Sequence, residues 1–387
     1  MKRLFTIFAV FALLCCFAFC ALAANESGLV AVSFRGDTAE APPNSIRAIE
    51  AAFDAGADWV SVSVQKTGDG RFVLLEDASL ASQTDGADGT AADLDTAAVQ
   101  ALHYRNANGT VSADAVATLE DALAAAAGKG GLILDNAWDD RDALNAMIGS
   151  RSVAVPVCLR TLDSAKKALQ WSSAADCVLG VLPVYDGNVV FNAIAHWNYL
   201  STAKQPLAQF QSKNYFNVFY QKFTDKRFRT AASTSALAPM YDSDLCGQRS
   251  DDAVGWDDLF SRGFGAIETG NIRGLAAYVA QCDAAREALR TLSEQLDEER
   301  VSSKGSQLEK LGVAAYWLLS DKRASLSQLQ NIQSDIKTEL RRQGPSGEKN
   351  AQKGSFNLTG GRIAVIVIFG ALLLGFDVFV YKKKKKT

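Results

Sequence analysis

The segment "SFRGDTAEAPPNS", Ser33 to Ser45, contains two polar side chains suited to binding an anion or a polyol. Arg35 follows a short apolar run that predicts a strand, and Asn44 lies in a Pro-Pro-Asn turn a few residues later. A guanidinium offers several donors in one plane and matches an oxyanion well. Phe34, the last residue of the predicted strand, can neither transfer a proton nor bind a metal ion. We therefore expect a loop that binds a ligand but lacks an obvious reactive group.

Three acidic residues also fall where predicted strands end. Glu76 and Asp77 close the run "RFVLLED", and Asp135 follows the apolar residues of "LILDNA". Carboxylates in such positions can hold a divalent cation or act as a general acid when burial raises the pKa. The two histidines, His103 and His196, have no paired carboxylate nearby in sequence, and we interpret both as ordinary surface or core residues.

The elements that must position these residues alternate between strand and helix. "LVAVSF" predicts a strand, "SIRAIEAAFDAG" a helix and "WVSVSVQ" the next strand, and later units repeat this order to about residue 280. The pattern predicts an α/β fold, most simply a TIM-type (β/α)8 barrel. An open doubly wound sheet is the alternative, although no GxGxxG follows the first strand. In a barrel, the ends of the strands converge at one mouth, so Arg35, Asn44, Glu76, Asp77 and Asp135 are the candidate ligand-binding residues.

A series of short segments shares one order with a known family. The segments are "FRG" (34–36), "APPNS" (41–45), "AGAD" (55–58), "SVSVQKTGDG" (61–70), "ED" (76–77) and "ATLEDAL" (117–123). From Val30 to Trp138 the chain resembles the glycerophosphodiester phosphodiesterases, which have His-Arg-Gly, Ala-Pro-Glu-Asn-Thr, Ala-Gly-Ala-Asp, Glu-x-Asp-Val-Gln and His-Asp at these places. The resemblance implies a TIM-type barrel and a phosphodiester hydrolase of lipid metabolism.

The resemblance also identifies where the chain departs from the family. The family's two catalytic histidines fall on Phe34 and Glu76, and its paired metal carboxylates fall on Ser61 and Ser63. A third ligand position falls on Asp135. We therefore assign no catalytic residue and no metal ligand, and we expect no cofactor. Arg35 is expected either to bind a ligand or to pair with Glu76 or Asp77 and close the pocket.

Three hypotheses follow. The first is a catalytically degenerate member that binds a glycerophosphodiester, a polyol phosphate or a surface protein, or acts as a scaffold. The second is an active hydrolase in which Glu76, Asp77 and Asp135 surround calcium or magnesium. The third assigns the function to the helices from Ala276 to Gln343, through binding of a partner.

The two ends of the chain indicate export and membrane attachment. Lys2 and Arg3 precede an apolar run that ends in a small-residue cleavage pattern, which predicts a signal peptide over 1–24. An apolar stretch over 363–381, followed by five lysines, predicts a single transmembrane helix with a cytoplasmic tail over 382–387. Between them we expect the barrel over 25–281, a helical stalk over 282–343 and a linker over 344–362, all on the outer side of a cell membrane.

The net charge argues against one class of binding partner, and the number of cysteines allows disulfide bonds. The two ends hold seven of the 40 basic residues and one of the 43 acidic residues, so the exported part carries about −9 and a nucleic-acid partner is not expected. Four cysteines remain in an oxidising compartment, where two disulfides are possible and three pairings are open. They are Cys158, Cys177, Cys246 and Cys282.

Overall fold

The structure is a computed structural model of the 387-residue chain. It describes residues 29–106, 108–151, 155–163, 165–185, 207–210, 238–242, 251–261, 266–299, 307–320 and 324–343. Contacts group Met1–Leu340 into one compact unit and Arg341–Thr387 into a second. The predicted signal peptide, linker, transmembrane segment and tail, together with His196 and Cys246, lie outside the described residues.

The strands and helices alternate along the chain as the pattern predicts. The strands are β1 (Val30–Phe34), β2 (Trp59–Lys66), β3 (Phe72–Leu74), β4 (His103–Arg105), β5 (Val111–Ala115), β6 (Gly131–Asp135), β7 (Val157–Thr161), β8 (Gly180–Tyr185), β9 (Leu207–Phe210), β10 (Ala238–Asp242) and β11 (Ala266–Thr269). The helices are α1 (Ile46–Asp54), α2 (Thr96–Gln100), α3 (Leu119–Ala126), α4 (Arg141–Gly149), α5 (Ala165–Ser172), α6 (Ala253–Ser261), α7 (Ile272–Glu299), α8 (Gln307–Ser320) and α9 (Leu326–Gln343).

The main sheet is parallel and curls back on itself. Starting from β1, the parallel neighbours are β2, β6, β7, β8, β9, β10 and β11, and β11 pairs again with β1. Within this sheet β3 pairs antiparallel with the C-terminal part of β2, from Val64 to Lys66. The prediction of a TIM-type arrangement is confirmed for the parallel, curled sheet. The alternative of an open doubly wound sheet is excluded because β1 has a strand partner on both sides.

Alternation along the strands separates two apolar regions. Val60, Val62 and Val64 of β2 belong to the large core shared with the surrounding helices. A smaller cluster of buried residues comes from alternate positions of the strands and contains Val32, Ile133, Cys158, Leu182 and Ala266. Residues at successive alternate positions along a barrel strand share the interior, so this cluster is a layer inside the barrel.

Trp59 and Gly131 are register partners on β2 and β6, at the end of the barrel where these strands begin. A Cβ atom placed on Gly131 would lie 2.3 Å from the Trp59 ring. Only glycine therefore leaves room for the indole at this position, and the ring packs against the interior apolar layer.

A long insertion between β2 and α3 carries its own small core. β4 and β5 form an antiparallel ribbon, and Tyr104 on that ribbon is buried with Leu80, Val99 and Val116. The Tyr104 hydroxyl donates to the carbonyl of Leu74 at 2.7 Å and accepts from the backbone N–H of Ala117 at 3.2 Å. The insertion is therefore attached to the barrel by hydrogen bonds as well as by apolar contacts.

The helices after β11 pack on the barrel core. α7 runs without interruption from Ile272 to Glu299, across the position at which the sequence suggests the change from barrel to stalk. Its Tyr278 hydroxyl donates to Asp257 of α6 at 2.9 Å and accepts from the backbone N–H of Leu326 at 3.1 Å. The described part of the chain contains no helix long and apolar enough to cross a membrane.

The cysteines within the described residues form no disulfide with one another. Cys158 lies inside the barrel, Cys177 donates to the carbonyl of Leu179 at 3.4 Å, and Cys282 is buried on α7. Burial raises the pKa of the Cys158 and Cys282 thiols, the latter to about 12. Both are therefore protonated, apolar-like core groups at neutral pH.

Candidate ligand-binding site at the barrel mouth

The turn after β1 fixes the position of Arg35. Its backbone N–H donates to the Ser61 carbonyl at 3.0 Å, and its φ is 62°, in the left-handed region. Gly36 follows with φ 90°, and a Cβ there would lie 2.6 Å from the backbone carbonyl carbon of Ala48 in α1. Glycine is thus required at position 36 by the close approach of this turn to α1.

Asn44 holds the same turn from the other side. Its backbone N–H donates to the Arg35 carbonyl and its side-chain oxygen accepts from the backbone N–H of Ser63, both at 3.0 Å. Asn44 is buried, with a φ of 63°. Ser45 then caps α1 by accepting from the backbone N–H of Ala48. The amide oxygen of Asn44 is therefore committed to positioning β2 and the Arg35 turn.

A chain of ion pairs crosses the mouth where β1, β6, β7 and β11 end. Arg35 Nη1 lies 2.6 Å from Asp135 Oδ2, and Arg160 Nη1 lies 3.0 Å from the same oxygen. Arg160 Nη2 lies 2.6 Å from Glu268 Oε1. Glu268 is fully buried, and Arg35 and Asp135 are exposed by only 6% and 8%. Two guanidiniums and two carboxylates thus share one enclosed volume, and each carboxylate has a cationic partner.

Glu76 lies at the solvent-exposed edge of this series of ion pairs. Its Oε1 lies 3.6 Å from Arg35 Nη2, and its side chain is 47% exposed. The Asn136 amide fixes the backbone here by donating to the Glu76 carbonyl at 2.9 Å. Asp77, also proposed as a site residue, accepts from the Ser82 hydroxyl at 3.4 Å on the exposed side. Within the described residues no ion pair joins Asp77 to Arg35, so the structure brings Arg35, Glu76 and Asp135 together without Asp77.

The remaining sequence-derived positions lie beside the ion pairs. Ser61 and Ser63 are fully buried on β2, and Ser63 is the register partner of Asp135. The Ser61 hydroxyl donates to the Ser33 carbonyl at 3.4 Å. The Phe34 ring lies under the Arg35 guanidinium, with 4.4 Å between the Arg35 Cζ and the ring centroid. A cation–π contact with Phe34 therefore adds to the Asp135 ion pair in holding Arg35 in place.

These residues do not fit a divalent cation. The part of the chain that the structure describes has no group of three or more His, Cys, Asp or Glu side chains arranged to hold a metal ion. Asp135 Oδ2 already accepts from two guanidiniums, and Glu76 faces one of them. A divalent ion between Asp135 and Glu76 would meet the positive charge of Arg35 at close range.

His103 has a carboxylate partner that sequence proximity does not reveal. Its Nδ1 lies 3.3 Å from Asp85 Oδ2, and its backbone N–H donates to Asp85 Oδ1 at 2.8 Å. These hydrogen bonds hold the pKa of the Asp85 carboxyl below its usual value. His103 lies on β4 and is 43% exposed, so it is a surface residue that pairs with a carboxylate 18 positions away in sequence.

Sequence reasoning missed Arg160 and Glu268. Arg160 lies in "VPVCLRT" and Glu268 in "GAIET", each a charged residue near the end of an otherwise apolar strand. A charge inside a buried strand is expensive unless it has a partner, and that cost is the signal that points to them. The two residues are 108 positions apart, so their pairing becomes visible only once the barrel is formed.

A curled parallel sheet with helices and a charged mouth at the strand ends defines a TIM-type barrel protein with a candidate site in the usual place for this fold. Residues 35–178 match the model of the glycerophosphoryl diester phosphodiesterase family. This match, over part of the chain, supports the resemblance to the glycerophosphodiester phosphodiesterase family that the motif series predicts. No curated protein matches the chain by sequence.

Several solved structures are similar to this chain. A glycerophosphoryl diester phosphodiesterase from Parabacteroides distasonis is 16% identical, with a TM-score of 0.51 over 66% of this chain and 87% of that one. A phosphodiesterase from Oleispira antarctica, in complex with the product sn-glycerol-3-phosphate, is 18% identical, with a TM-score of 0.48 over 65% and 97%. A putative glycerophosphodiester phosphodiesterase from Galdieria sulphuraria is 13% identical, with a TM-score of 0.49 over 65% and 98%.

Proposed function

We propose that this protein is a glycerophosphodiester phosphodiesterase-like ligand-binding or scaffolding module that does not hydrolyse phosphodiesters. The observation that carries the proposal is that Asp135 Oδ2 pairs with two guanidiniums. Arg35 Nη1 lies 2.6 Å from this oxygen and Arg160 Nη1 lies 3.0 Å from it. The carboxylate that best matches a metal ligand of the family is thereby neutralised by the chain's own cations.

The chemistry of phosphodiester cleavage supports this proposal. The attacking oxygen needs a proton acceptor and the leaving oxygen a donor, and each is worth roughly 10²–10⁴ in rate. The family's histidine positions hold Phe34, which has no titratable group, and Glu76, whose carboxylate faces Arg35 at 3.6 Å. The family's carboxylate positions hold Ser61 and Ser63, which are neutral and fully buried.

The test is a turnover measurement on the purified full chain. Glycerophosphocholine and glycerophosphoglycerol would be incubated with calcium, with magnesium and with a chelator, beside an active family member. We expect no release of glycerol phosphate above the buffer rate. Metal-dependent turnover that Glu76→Gln abolishes would overturn the proposal and favour a hydrolase whose activity depends on Glu76.

We also propose that the module is held at a cell membrane with its barrel outside the cytoplasm. The support is the sequence pattern: an apolar stretch over 363–381 followed by the lysines at 382–386, with a signal-peptide pattern at the other end. Membrane fractions washed with alkaline carbonate should retain the protein, and external protease should remove the barrel from intact cells. Release by carbonate, or full protection from external protease, would contradict this placement.

A further inference from the structure

The exposed face of α8 carries an aromatic stripe, formed by Val313, Tyr316 and Trp317. These residues are exposed by 48%, 65% and 52%, and spacings of three and four positions place them on one side of the helix. The rings of Tyr316 and Trp317 contact each other edge to face, with 5.8 Å between their centroids. Isolated exposed apolar residues are ordinary, whereas an aromatic cluster on one face is typical of a surface that binds a partner.

Packing holds this face outward. Leu311 and Ala315, on the opposite side of α8, are buried in the main core. The Arg286 side chain of α7 is itself buried, and its guanidinium donates to the carbonyls of Leu318 and Leu319, both at 3.2 Å. These carbonyls lie in the last turn of α8, where a helix leaves its carbonyl groups without helical partners. Rotation of α8 to bury the stripe would break these hydrogen bonds and expose Leu311.

α9 and α7 run side by side in the same direction. The backbone N–H of Leu326, the first residue of α9, donates to the Tyr278 hydroxyl at 3.1 Å. Seven positions later on both helices, the Gln333 amide donates to the carbonyl of Ala285. The two helices therefore advance together, residue for residue.

α8 runs the opposite way beside α7, which brings the stripe level with the end of α9. The last turn of α8 contacts Arg286, and only residues 300–306 connect α7 to α8. Counting back along α8 therefore brings Val313 to about the level of Leu292 on α7. Counting forward along α9 brings Leu340 to the same level. The stripe and the end of α9 thus lie at the same height along these helices.

The sequence after α9 limits how far this end can lie from the proposed membrane attachment. Residues 344–362 separate α9 from the apolar stretch over 363–381. A flexible linker of this length spans roughly 25 Å on average. A chain attached through 363–381 would therefore keep the end of α9, and the stripe level with it, near the lipid surface.

The chemistry of the exposed face suits the boundary between lipid and water. Trp and Tyr combine an apolar ring with a polar tip and are enriched at that boundary. The exposed residues of α8 include one basic side chain and no acidic side chain that lipid phosphates would repel. They are Gln307, Lys310, Val313, Tyr316, Trp317 and Ser320.

A second copy of the chain is a poorer occupant of this face. A stable interface between two proteins buries about 800 Å² per partner, whereas three half-exposed side chains of this size offer roughly 300 Å². Resting on the proposed membrane attachment, we propose that the aromatic stripe of α8 docks on the headgroup region of the lipid surface. The helices α7 to α9 then lie against the membrane instead of standing away from it.

The experiment locates the Trp317 indole relative to lipid. The full chain would be reconstituted into vesicles of phosphatidylcholine and phosphatidylglycerol whose acyl chains carry bromine close to the headgroup. Bromine quenches tryptophan emission on contact, and unbrominated vesicles give the reference. We expect Trp317→Phe to lower the bromine-dependent loss of emission at least about twofold. Trp171→Phe, at an indole that contacts Trp138, is the control and should leave that loss unchanged.

A second pair of variants tests the face and not only the indole. Val313→Asp places a negative charge within the stripe and should lower the bromine-dependent loss about twofold. Val254→Asp, at a valine of α6 that is 77% exposed, should have no effect. All four variants are judged in vesicles from which alkaline carbonate does not extract the protein.

The inference and the membrane attachment can fail separately. Retention through the carbonate wash, with bromine-dependent quenching that neither Trp317→Phe nor Val313→Asp changes, would overturn the inference and leave the attachment intact. Emission from Trp317 that ignores bromine but changes with the ratio of protein to lipid would also overturn it, in favour of a second copy. Release of the protein by carbonate would remove the attachment, and the inference with it.

Discussion

Asp135 and Arg160 lie at the ends of neighbouring strands, and Asp135 Oδ2 lies 3.0 Å from Arg160 Nη1 while also accepting from Arg35. Arg160 in turn reaches Glu268, which is fully buried. The charged side chains at the mouth therefore form a connected series of ion pairs. Removing any one of the carboxylates would leave at least one guanidinium with fewer ion-pair partners. This relationship gives the first prediction.

Glu268→Gln should lower the free energy of unfolding by roughly 3 kcal/mol, because it leaves Arg160 buried with one carboxylate instead of two. Urea denaturation at pH 7 measures the change. The control is Lys66→Gln, which breaks the more exposed Lys66–Asp140 pair at 2.6 Å and should cost less than about 1 kcal/mol. A similar small loss in both variants would mean that the buried chain contributes no more than a surface pair.

Gly36→Ala should be far more destabilising than Gly70→Ala. Both residues have positive φ, 90° and 81°, which costs an alanine roughly 1–2 kcal/mol. Nothing lies within 4 Å of a Cβ on Gly70, whereas a Cβ on Gly36 would lie 2.6 Å from the Ala48 backbone. Thermal unfolding of both variants separates the steric effect from the conformational one. Equal losses would show that α1 moves away without cost.

Tyr104→Phe should lower the free energy of unfolding by about 1–3 kcal/mol. The variant removes the hydroxyl that donates to the Leu74 carbonyl at 2.7 Å and accepts from the Ala117 N–H at 3.2 Å, and both backbone groups would lose a buried partner. Tyr316→Phe, at a side chain 65% exposed, is the matched control and should be nearly neutral. Equal stability of the two variants would contradict the attachment of the insertion through Tyr104.

The Asp58 carboxyl should make the stability of the folded protein depend on pH. Burial raises the pKa of Asp58 from 3.8 to about 6, although it accepts from the backbone N–H of Ala31 at 2.8 Å. Because the folded state holds this proton more tightly than the unfolded state, the contribution is fully present below about pH 3.8 and is lost as the pH rises through about 6. Its size is at most about 3 kcal/mol.

Asp58→Asn isolates this effect. The asparagine oxygen can still accept from Ala31 and does not ionise, so the variant should gain stability relative to the native protein as the pH increases from 4 to 7. Urea denaturation of both proteins over this range measures the difference. A difference that stays constant with pH would show that Asp58 is not the titrating group.

The sequence predicts the barrel because strand and helix periodicities are local and recur over the length of the fold. It also predicts that Arg35, Glu76 and Asp135 share one mouth, since strand ends converge in such a barrel. The choice of partner for Arg35 is not visible in sequence: Asp135, at 2.6 Å, lies much closer than Glu76, at 3.6 Å. Arg160 and Glu268 are missed for the same reason, because the contact depends on the curvature that brings β7 and β11 across the barrel from each other.

The packing of Trp59 against Gly131 determines the end of the barrel at which a molecule can enter or leave. The ring and the apolar layer beyond it fill the barrel at the end where the strands begin, so the interior is not a pore. Anything that binds at Asp135 must arrive and depart through the same opening. A long polymer would therefore be engaged by a terminus or a side branch, and threading of its backbone through the barrel is excluded.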